Sequence, residues 1–136
     1  MGEDLDGLQI LDELQCRSLM QRVRVGRIAL THRAMPLILP VTCGFANPDL
    51  VFSVGAGVLA EAAEQSQIVC FQADWLAADT MTSWSVSVIG QLSSMVTDTD
   101  LRLARDLGIK QWSSADDRFA RLTPEVTTGR ARGLVL

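Results

Sequence analysis

Residues 83–90 place the strongest constraint on the fold, because apolar and polar side chains alternate strictly along them. The apolar members are Trp84, Val86 and Val88, and serine occupies positions 83, 85 and 87. Successive side chains of a β-strand point to opposite faces, so this pattern predicts a strand with one apolar and one polar face. Such a strand needs neighbouring strands and a core to cover its apolar face.

Five further segments have strand character, and turn residues separate several of them. They are residues 25–31, 37–45, 50–54, 68–74 and 118–123. Helices are expected over residues 13–23, 58–65 and 99–107. Asp12 and Asp98 are the predicted N-caps of the first and the last of these helices. About six strands with short helices predict a mainly β fold, a small antiparallel barrel with peripheral helices.

No internal repeat, low-complexity tract or linker divides the chain. Its 136 residues, of which 48% are apolar and 21% charged, suffice for one globular domain with its own core. We expect residues 11–136 to form this single domain. Residues 1–10 are expected to be a flexible, acidic N-terminal arm.

Charge and composition exclude several functional classes. The formal net charge is −4 and the isoelectric point is about 4.8, so no nucleic-acid partner is expected. His32 is the single histidine, which excludes a histidine-rich metal centre and leaves little material for a Ser-His-Asp triad. The acidic N-terminus and the lack of an apolar run of ~20 residues predict a cytoplasmic protein with no membrane partner.

Three cysteines, Cys16, Cys43 and Cys70, are widely spaced and lie outside any CxxC pattern. Each of them is in an apolar stretch. These features predict buried, unreactive thiols and argue against a disulfide framework or a zinc site.

Four local features could carry chemistry, and each also has a simpler structural interpretation. His32 ends a predicted hairpin strand, where solvent exposure is expected. Asp74 ends a strand, where a carboxylate usually accepts hydrogen bonds from turn amides. The pair Asp116-Asp117 lies in a polar loop and is interpreted as solvated surface. Residues 55–57, Gly-Ala-Gly, precede a helix, where backbone amides can bind an anion, although taken alone they are better explained by a plain strand-to-helix turn.

Five separate stretches, taken in order, resemble successive strands of the pyridoxamine 5′-phosphate oxidase-like family. They are Val25-Gly26-Arg27-Ile28-Ala29, Met35-Pro36-Leu37-Ile38-Leu39-Pro40-Val41, Val69-Cys70-Phe71-Gln72-Ala73-Asp74, Ser83-Trp84-Ser85-Val86-Ser87-Val88-Ile89-Gly90 and Val126-Thr127-Thr128-Gly129-Arg130. The similarity is to the short bacterial branch that also includes the nitroimidazole-resistance reductases, and it covers about residues 11–132. It implies a flavin-binding split barrel, which is a six-stranded antiparallel barrel that forms a homodimer with two FMN sites at the subunit interface.

The resemblance also implies which residues hold the flavin phosphate. The family segment resembles Phe-Arg-Thr-x-x-Gly-x-Lys-Leu and aligns with residues 52–60, where the Phe and the Gly are matched. Ser53, Val54 and Leu59 stand at the Arg, Thr and Lys positions, so three phosphate ligands are replaced and weaker FMN binding is expected.

Other groups are expected to compensate in part for the three replaced ligands. They are the Ser53 hydroxyl, the backbone amides from Gly55 to Gly57, and Arg130 of the partner chain. The resemblance further implies that the backbone of Pro40, Val41 and Thr42 lies against the flavin ring, with Trp84 beside the ring or at the dimer seam.

Three functions are compatible with these residues. The first is an FMN-dependent oxidoreductase that takes electrons from a reduced nicotinamide or another donor, without true pyridoxamine phosphate oxidation. The second is a degenerate family member that has lost tight FMN binding and holds a deazaflavin or another apolar ligand, which the aliphatic Val54 and Leu59 favour. The third is a dimeric scaffold without a small ligand. A homodimer is expected in each case, because residues 83–90 and 134–136 add apolar surface beyond one core.

Overall fold

The strands close into a ring, in which the last strand pairs with three others. The computed structural model describes residues 2–79, 81–111 and 118–134. In these ranges the strands are β1 (Gln9–Leu11), β2 (Val25–His32), β3 (Met35–Ala46), β4 (Asp49–Ser53), β5 (Ile68–Leu76), β6 (Ser83–Ser94) and β7 (Phe119–Arg132). Every pairing is antiparallel. The order is β1-β7-β4-β3-β2-β5-β6, and the additional β7–β6 pairing closes the barrel.

Three helices cover the barrel within the same described ranges: α1 (Glu13–Met20), α2 (Val58–Glu64) and α3 (Asp98–Asp106). Asp12 caps α1 as predicted, and its side chain accepts a hydrogen bond from the backbone N–H of Gln15. The predicted N-cap of α3 is wrong, because Thr97 is the capping residue and Asp98 is the first residue of the helix. Aspartate and threonine are both favoured N-cap residues, so the adjacent pair Thr97-Asp98 allows a helix to begin at either one.

The barrel interior is filled by the inward side chains of the strands, with α1 and α2 covering it. Phe52 and Phe71 lie at its centre with ring centroids 5.3 Å apart and are fully buried. A second, smaller cluster lies outside the barrel wall, where α3 packs on it through Val51, Met95, Ala104 and Phe119. The predicted mainly β split barrel is thereby confirmed. Its last strand is longer than predicted, since β7 continues to Arg132.

Residues 2–10 are not simply a loose arm in the structure. Ile10 N–H donates to the Gly2 carbonyl, and Asp4 N–H donates to the Leu8 carbonyl, which makes a small hairpin. The hairpin is fixed to the barrel because β1 pairs with residues 129–131 of β7. This N-terminal hairpin adds a short seventh strand to the six that were predicted.

No helix in residues 2–79, 81–111 and 118–134 is long and apolar enough to cross a membrane.

Gly90 is required for barrel closure. The register between β6 and β7 shifts at Ile89/Gly90, and a Cβ atom at Gly90 would lie 2.0 Å from the backbone oxygen of Thr123.

We expect Gly90→Ala to lower the free energy of unfolding by about 2 to 3 kcal/mol, measured by urea denaturation. Gly57→Ala is the matched control, because a Cβ there meets nothing within 4 Å. Equal stability of the two variants would contradict this account of the closure.

Candidate functional site

The middle of β3 presents its side chains alternately to the core and to the outside. Val41 is buried in the core, whereas Pro40 is exposed and Thr42 is half-buried on the outer face. Thr42 pairs with Val25 on β2 and with Ser53 on β4. Its Oγ1 atom is buried and has no hydrogen-bond partner among the described residues. A buried hydroxyl without a partner costs free energy, so this atom marks a place where an additional group can bind.

The segment after β4 turns sharply before α2. Val54 N–H donates to the Arg118 carbonyl at 3.0 Å, and Gly55 follows with a φ of +62°, which favours glycine. Gly57 is the N-cap of α2. Leu59, which the aligned family segment would place among the ligand-binding residues, lies in the barrel core with 6% exposure. The prediction that its side chain lines the binding site is therefore corrected, because the first turn of α2 directs Leu59 inwards.

A cleft of about 540 Å³ lies beside this segment at one end of the barrel. Its charged and titratable lining residues are His32, Arg33, Glu61, Glu64 and Arg118. His32 is half-buried there, where exposure was predicted. Two arginines face two glutamates in this cleft, so its formal charge is nearly balanced and it is not a strongly basic phosphate site.

Arg33 reaches this cleft from a turn of unusual composition. Arg33 and Ala34 connect β2 to β3, with φ values of 52° and 62°. A two-residue hairpin loop with both φ values positive is a type I′ turn, for which asparagine and glycine are preferred. The left-handed conformation at these two residues costs about 1 kcal/mol or more each, and it places a cation at the mouth of the cleft.

Trp84 and Arg130 lie together in a different part of the barrel. They line a cavity of about 230 Å³ with Leu8, Trp75 and Leu76 among its other walls. The strand register explains this, because Trp84 pairs with Trp75 on β5 and with Ala131, the residue after Arg130, on β7. Trp84 also packs against the core, as predicted. Within one chain β2 lies between Thr42 on β3 and the β5 wall of this cavity, so the predicted site residues form two groups.

Arg130 is held by the N-terminal hairpin. Its Nη1 atom lies 2.9 Å from Asp4 Oδ2 and 3.8 Å from Asp6 Oδ2. The hydrogen bonds that Asp4 accepts from the Leu8 backbone and from Arg130 lower the pKa of the Asp4 carboxyl, so Asp4 is ionised at neutral pH.

A polar network crosses the outer face of the barrel between these two groups. Arg27 donates to the Gln72 side chain and lies 3.3 Å from Asp74 Oδ2. Gln72 Nε2 donates to Asp74 at 2.8 Å and to Ser85 Oγ at 3.1 Å. Asp74 thus pairs with Arg27 on the neighbouring strand β2 and with Gln72 on its own strand. Among the described residues, no turn amide donates to it as was expected.

Next to this network runs a row of apolar side chains that face outwards from five strands. The register aligns Ile38, Ala29, Cys70, Ile89 and Val126 in this apolar row. Ile38, Ile89 and Val126 are 67%, 40% and 50% exposed. Antiparallel sheets normally present polar residues to water, so a continuous apolar row is unusual for a solvated face.

The cysteines are free, and two of them are buried. Burial raises the pKa of Cys43 to about 12 and also raises the pKa values of Cys16 and Cys70. High pKa values keep these thiols protonated at neutral pH, which makes them poor nucleophiles. The described part of the chain also contains no cluster of three His, Cys, Asp or Glu residues able to hold a metal ion.

The sequence analysis did not identify Arg33 or Asp4 as candidate site residues, and some of its other candidates lie outside the described ranges. The sequence contains no signal that places Arg33 at the same cleft as Gly57 or brings Asp4 to Arg130, because each pair joins distant segments of the closed barrel. Trp112, Asp116, Asp117 and residues 135–136 lie outside the residues that the structure describes.

Comparisons with known proteins give one consistent result. A family model described as pyridoxamine 5′-phosphate oxidase matches residues 12–131. The FAD binding protein from Mycobacterium smegmatis is 28% identical with a TM-score of 0.76, and the match covers 90% of this chain and 98% of that chain. A Corynebacterium glutamicum protein provisionally assigned to the pyridoxamine 5′-phosphate oxidases is 24% identical with a TM-score of 0.78, covering 99% and 100%. An FAD-binding protein from Mesorhizobium loti is 21% identical with a TM-score of 0.75, covering 91% and 97%. A search of curated proteins found no match.

The buried Thr42 hydroxyl should destabilise the ligand-free protein. We expect Thr42→Val to raise its free energy of unfolding by about 1 kcal/mol, because the buried polar atom is removed at nearly constant volume. Urea denaturation measures the change. Thr31→Val is the control for strand propensity, since Thr31 is exposed on β2. A Thr42→Val variant that is less stable than wild type, with Thr31→Val unaffected, would show that the hydroxyl has a partner within the protein.

Proposed function

The chain belongs to the pyridoxamine 5′-phosphate oxidase family, and from this premise we propose that it is a homodimeric oxidoreductase with a flavin bound between its two subunits. A bound flavin supplies electron transfer that amino-acid side chains do not. The protein contributes the binding surface, the orientation of the ring and the exclusion of water. A cytoplasmic location is part of this proposal, as is the absence of a membrane or nucleic-acid partner.

The main observation in favour of this proposal is the unsatisfied hydroxyl of Thr42. It is buried on an outer face next to the exposed Pro40, and it is not satisfied by the described residues. The edge of a flavin ring carries carbonyl and N–H groups, either of which can bond to a hydroxyl. Binding a ring edge at this position would therefore restore a hydrogen bond that folding alone leaves unmade.

The residues around Thr42 suit the remaining parts of a flavin. Pro40 and the backbone of Val41 offer a flat surface on β3 for the ring. The Ser53 hydroxyl is on the paired position of β4, and the turn at Gly55 leads from it to the cleft lined by Gly57 and Arg33. Since that cleft is nearly neutral, we infer that contacts to the ring contribute more to affinity than contacts to the phosphate.

A second subunit completes the site. Trp84 on β6 is separated from Thr42 on β3 by β2 and β5, and Arg130 lies beside it on β7. We therefore propose that Thr42 of one subunit and the Trp84–Arg130 group of the other contact the same flavin. The apolar row that contains Ile38 and Ile89 lies beside both groups, four residues along β3 from Thr42 and four residues along β7 from Arg130. Pairing this face with itself around a two-fold axis would bury the row and bring each Thr42 towards the Arg130 of the other subunit.

Flavins that carry different phosphate groups are candidates for this site. The relative from Mycobacterium smegmatis, which is 28% identical, is an FAD binding protein. FMN carries one phosphate and riboflavin carries none, so the three compounds together separate ring binding from phosphate binding. Deazaflavin remains the alternative if none of them binds.

A titration with FMN, FAD and riboflavin, followed by flavin fluorescence, tests the proposal. We expect saturable binding in the micromolar range, with Thr42→Val weakening all three by about five- to tenfold through the loss of one buried hydrogen bond. Thr31→Val should bind like wild type. Binding of none of the three, or equal binding by Thr42→Val, would refute the assignment of the site.

Light scattering tests the subunit interface. Ile89→Asp places a charge in the centre of the apolar row and should weaken dimerisation about 100-fold, because a buried charge without a partner is strongly unfavourable at an interface. Val96→Asp is the control, since Val96 is 76% exposed and lies outside the row. A wild-type monomer at micromolar concentration, or an Ile89→Asp dimer as stable as wild type, would contradict the proposed interface.

A further inference from the structure

The N-terminal hairpin pairs with Arg130, the arginine that the family resemblance leads us to expect at the flavin phosphate of the partner chain. Asp4 Oδ2 is 2.9 Å from Arg130 Nη1, and Asp6 Oδ2 is 3.8 Å from the same atom. We infer that Asp4 competes with the phosphate of a bound flavin for Arg130, and so makes the site less selective for phosphorylated flavins. This inference rests on the proposed function, and it names the residue that determines specificity within it.

Asp4 is held in position to compete. Its Oδ1 atom accepts hydrogen bonds from the backbone N–H groups of Asp6 and Leu8, each at 2.9 Å, which leaves Oδ2 directed at Arg130. The hairpin that carries Asp4 is attached to the strand that carries Arg130, because Ile10 pairs with Arg130 in the β1–β7 ladder. The hairpin thus holds the Asp4 carboxylate beside the guanidinium of Arg130.

Arg130 is accessible to a ligand even though it is paired with Asp4. The Arg130 side chain is 53% exposed and the Asp4 side chain 18% exposed. Two cavities open beside the guanidinium, of about 230 and 350 Å³, and the N-terminal hairpin contributes Leu8 to one and Asp4 to the other. A phosphate that approaches Arg130 must displace or share the contact with Asp4, and it also meets the negative charge of that carboxylate.

The expected effect is modest and specific. An ion pair with this exposure changes an equilibrium by at most about fivefold. A flavin whose phosphate binds Arg130 should therefore bind the wild-type protein up to about fivefold more weakly than it would without the Asp4 carboxylate. Riboflavin has no phosphate, so its affinity should not depend on the Asp4–Arg130 pair.

The ratio of the Kd values for riboflavin and FMN is the appropriate readout. Asp4→Asn keeps an oxygen that accepts the Asp6 and Leu8 amides and removes the charge. We expect it to lower the Kd for FMN about fivefold and to leave riboflavin unchanged. Glu3→Gln is the matched control, because it removes the same charge one residue away, from an exposed side chain that is not a partner of Arg130.

The same substitution in an Arg130→Gln variant tests whether Asp4 acts through Arg130. Because the guanidinium is absent there, Asp4→Asn should no longer change the ratio of the Kd values for riboflavin and FMN. An unchanged or reduced preference for FMN in Asp4→Asn would overturn the inference, as would the same gain in Glu3→Gln. If both flavins bind and only the ratio fails to change, the proposed function stands. If no variant binds any flavin, the proposed function fails, and this inference fails with it.

Discussion

The barrel depends on the pairing of β7 with both β4 and β6. Residues 119–122 pair with β4, while the stretch from 120 to 132 runs along β6. This arrangement joins the two ends of the β4-β3-β2-β5-β6 series and gives the enclosed side chains a continuous wall. It also fixes which side chains face outwards, because the alternation along each strand allows only one register once the core is packed. The position of Thr42 and of the apolar row follows from that closure.

Charges near the candidate site are balanced locally. Arg27 is paired with Asp74, Arg130 is paired with Asp4, and the arginines of the cleft at Gly57 face glutamates. A site built in this way has little net attraction for a phosphate dianion. Its affinity for a flavin would depend on hydroxyls, on apolar contact with the ring and on the competition at Arg130. This agrees with the replacement of the family's phosphate ligands at positions 53, 54 and 59.

The sequence predicts the barrel well and the site only in part. Alternation over residues 83–90 and the order of the strand segments were sufficient for the fold class, and the family resemblance is confirmed by the match over residues 12–131. Leu59 was misplaced because an aligned segment does not tell which side of a short helix faces the core. The position of Arg33 at the cleft and the pairing of Asp4 with Arg130 could not be predicted, because both depend on how distant strands meet when the barrel closes. The strand in the N-terminal segment was not predicted, because the three residues of β1 are too few to show a periodic pattern.

The pairing of β7 with β4 and β6 has a consequence for the order of events during synthesis. Contacts between distant segments form slowly, because a long loop must be closed before they are gained. The unpaired edges of β4 and β6 stay exposed until residues 119–132 have left the ribosome, and such edges can pair with other chains. A nascent chain that stops before β7 has no smaller barrel to adopt. The yield of folded protein should therefore be governed by how quickly β7 is delivered to the other strands.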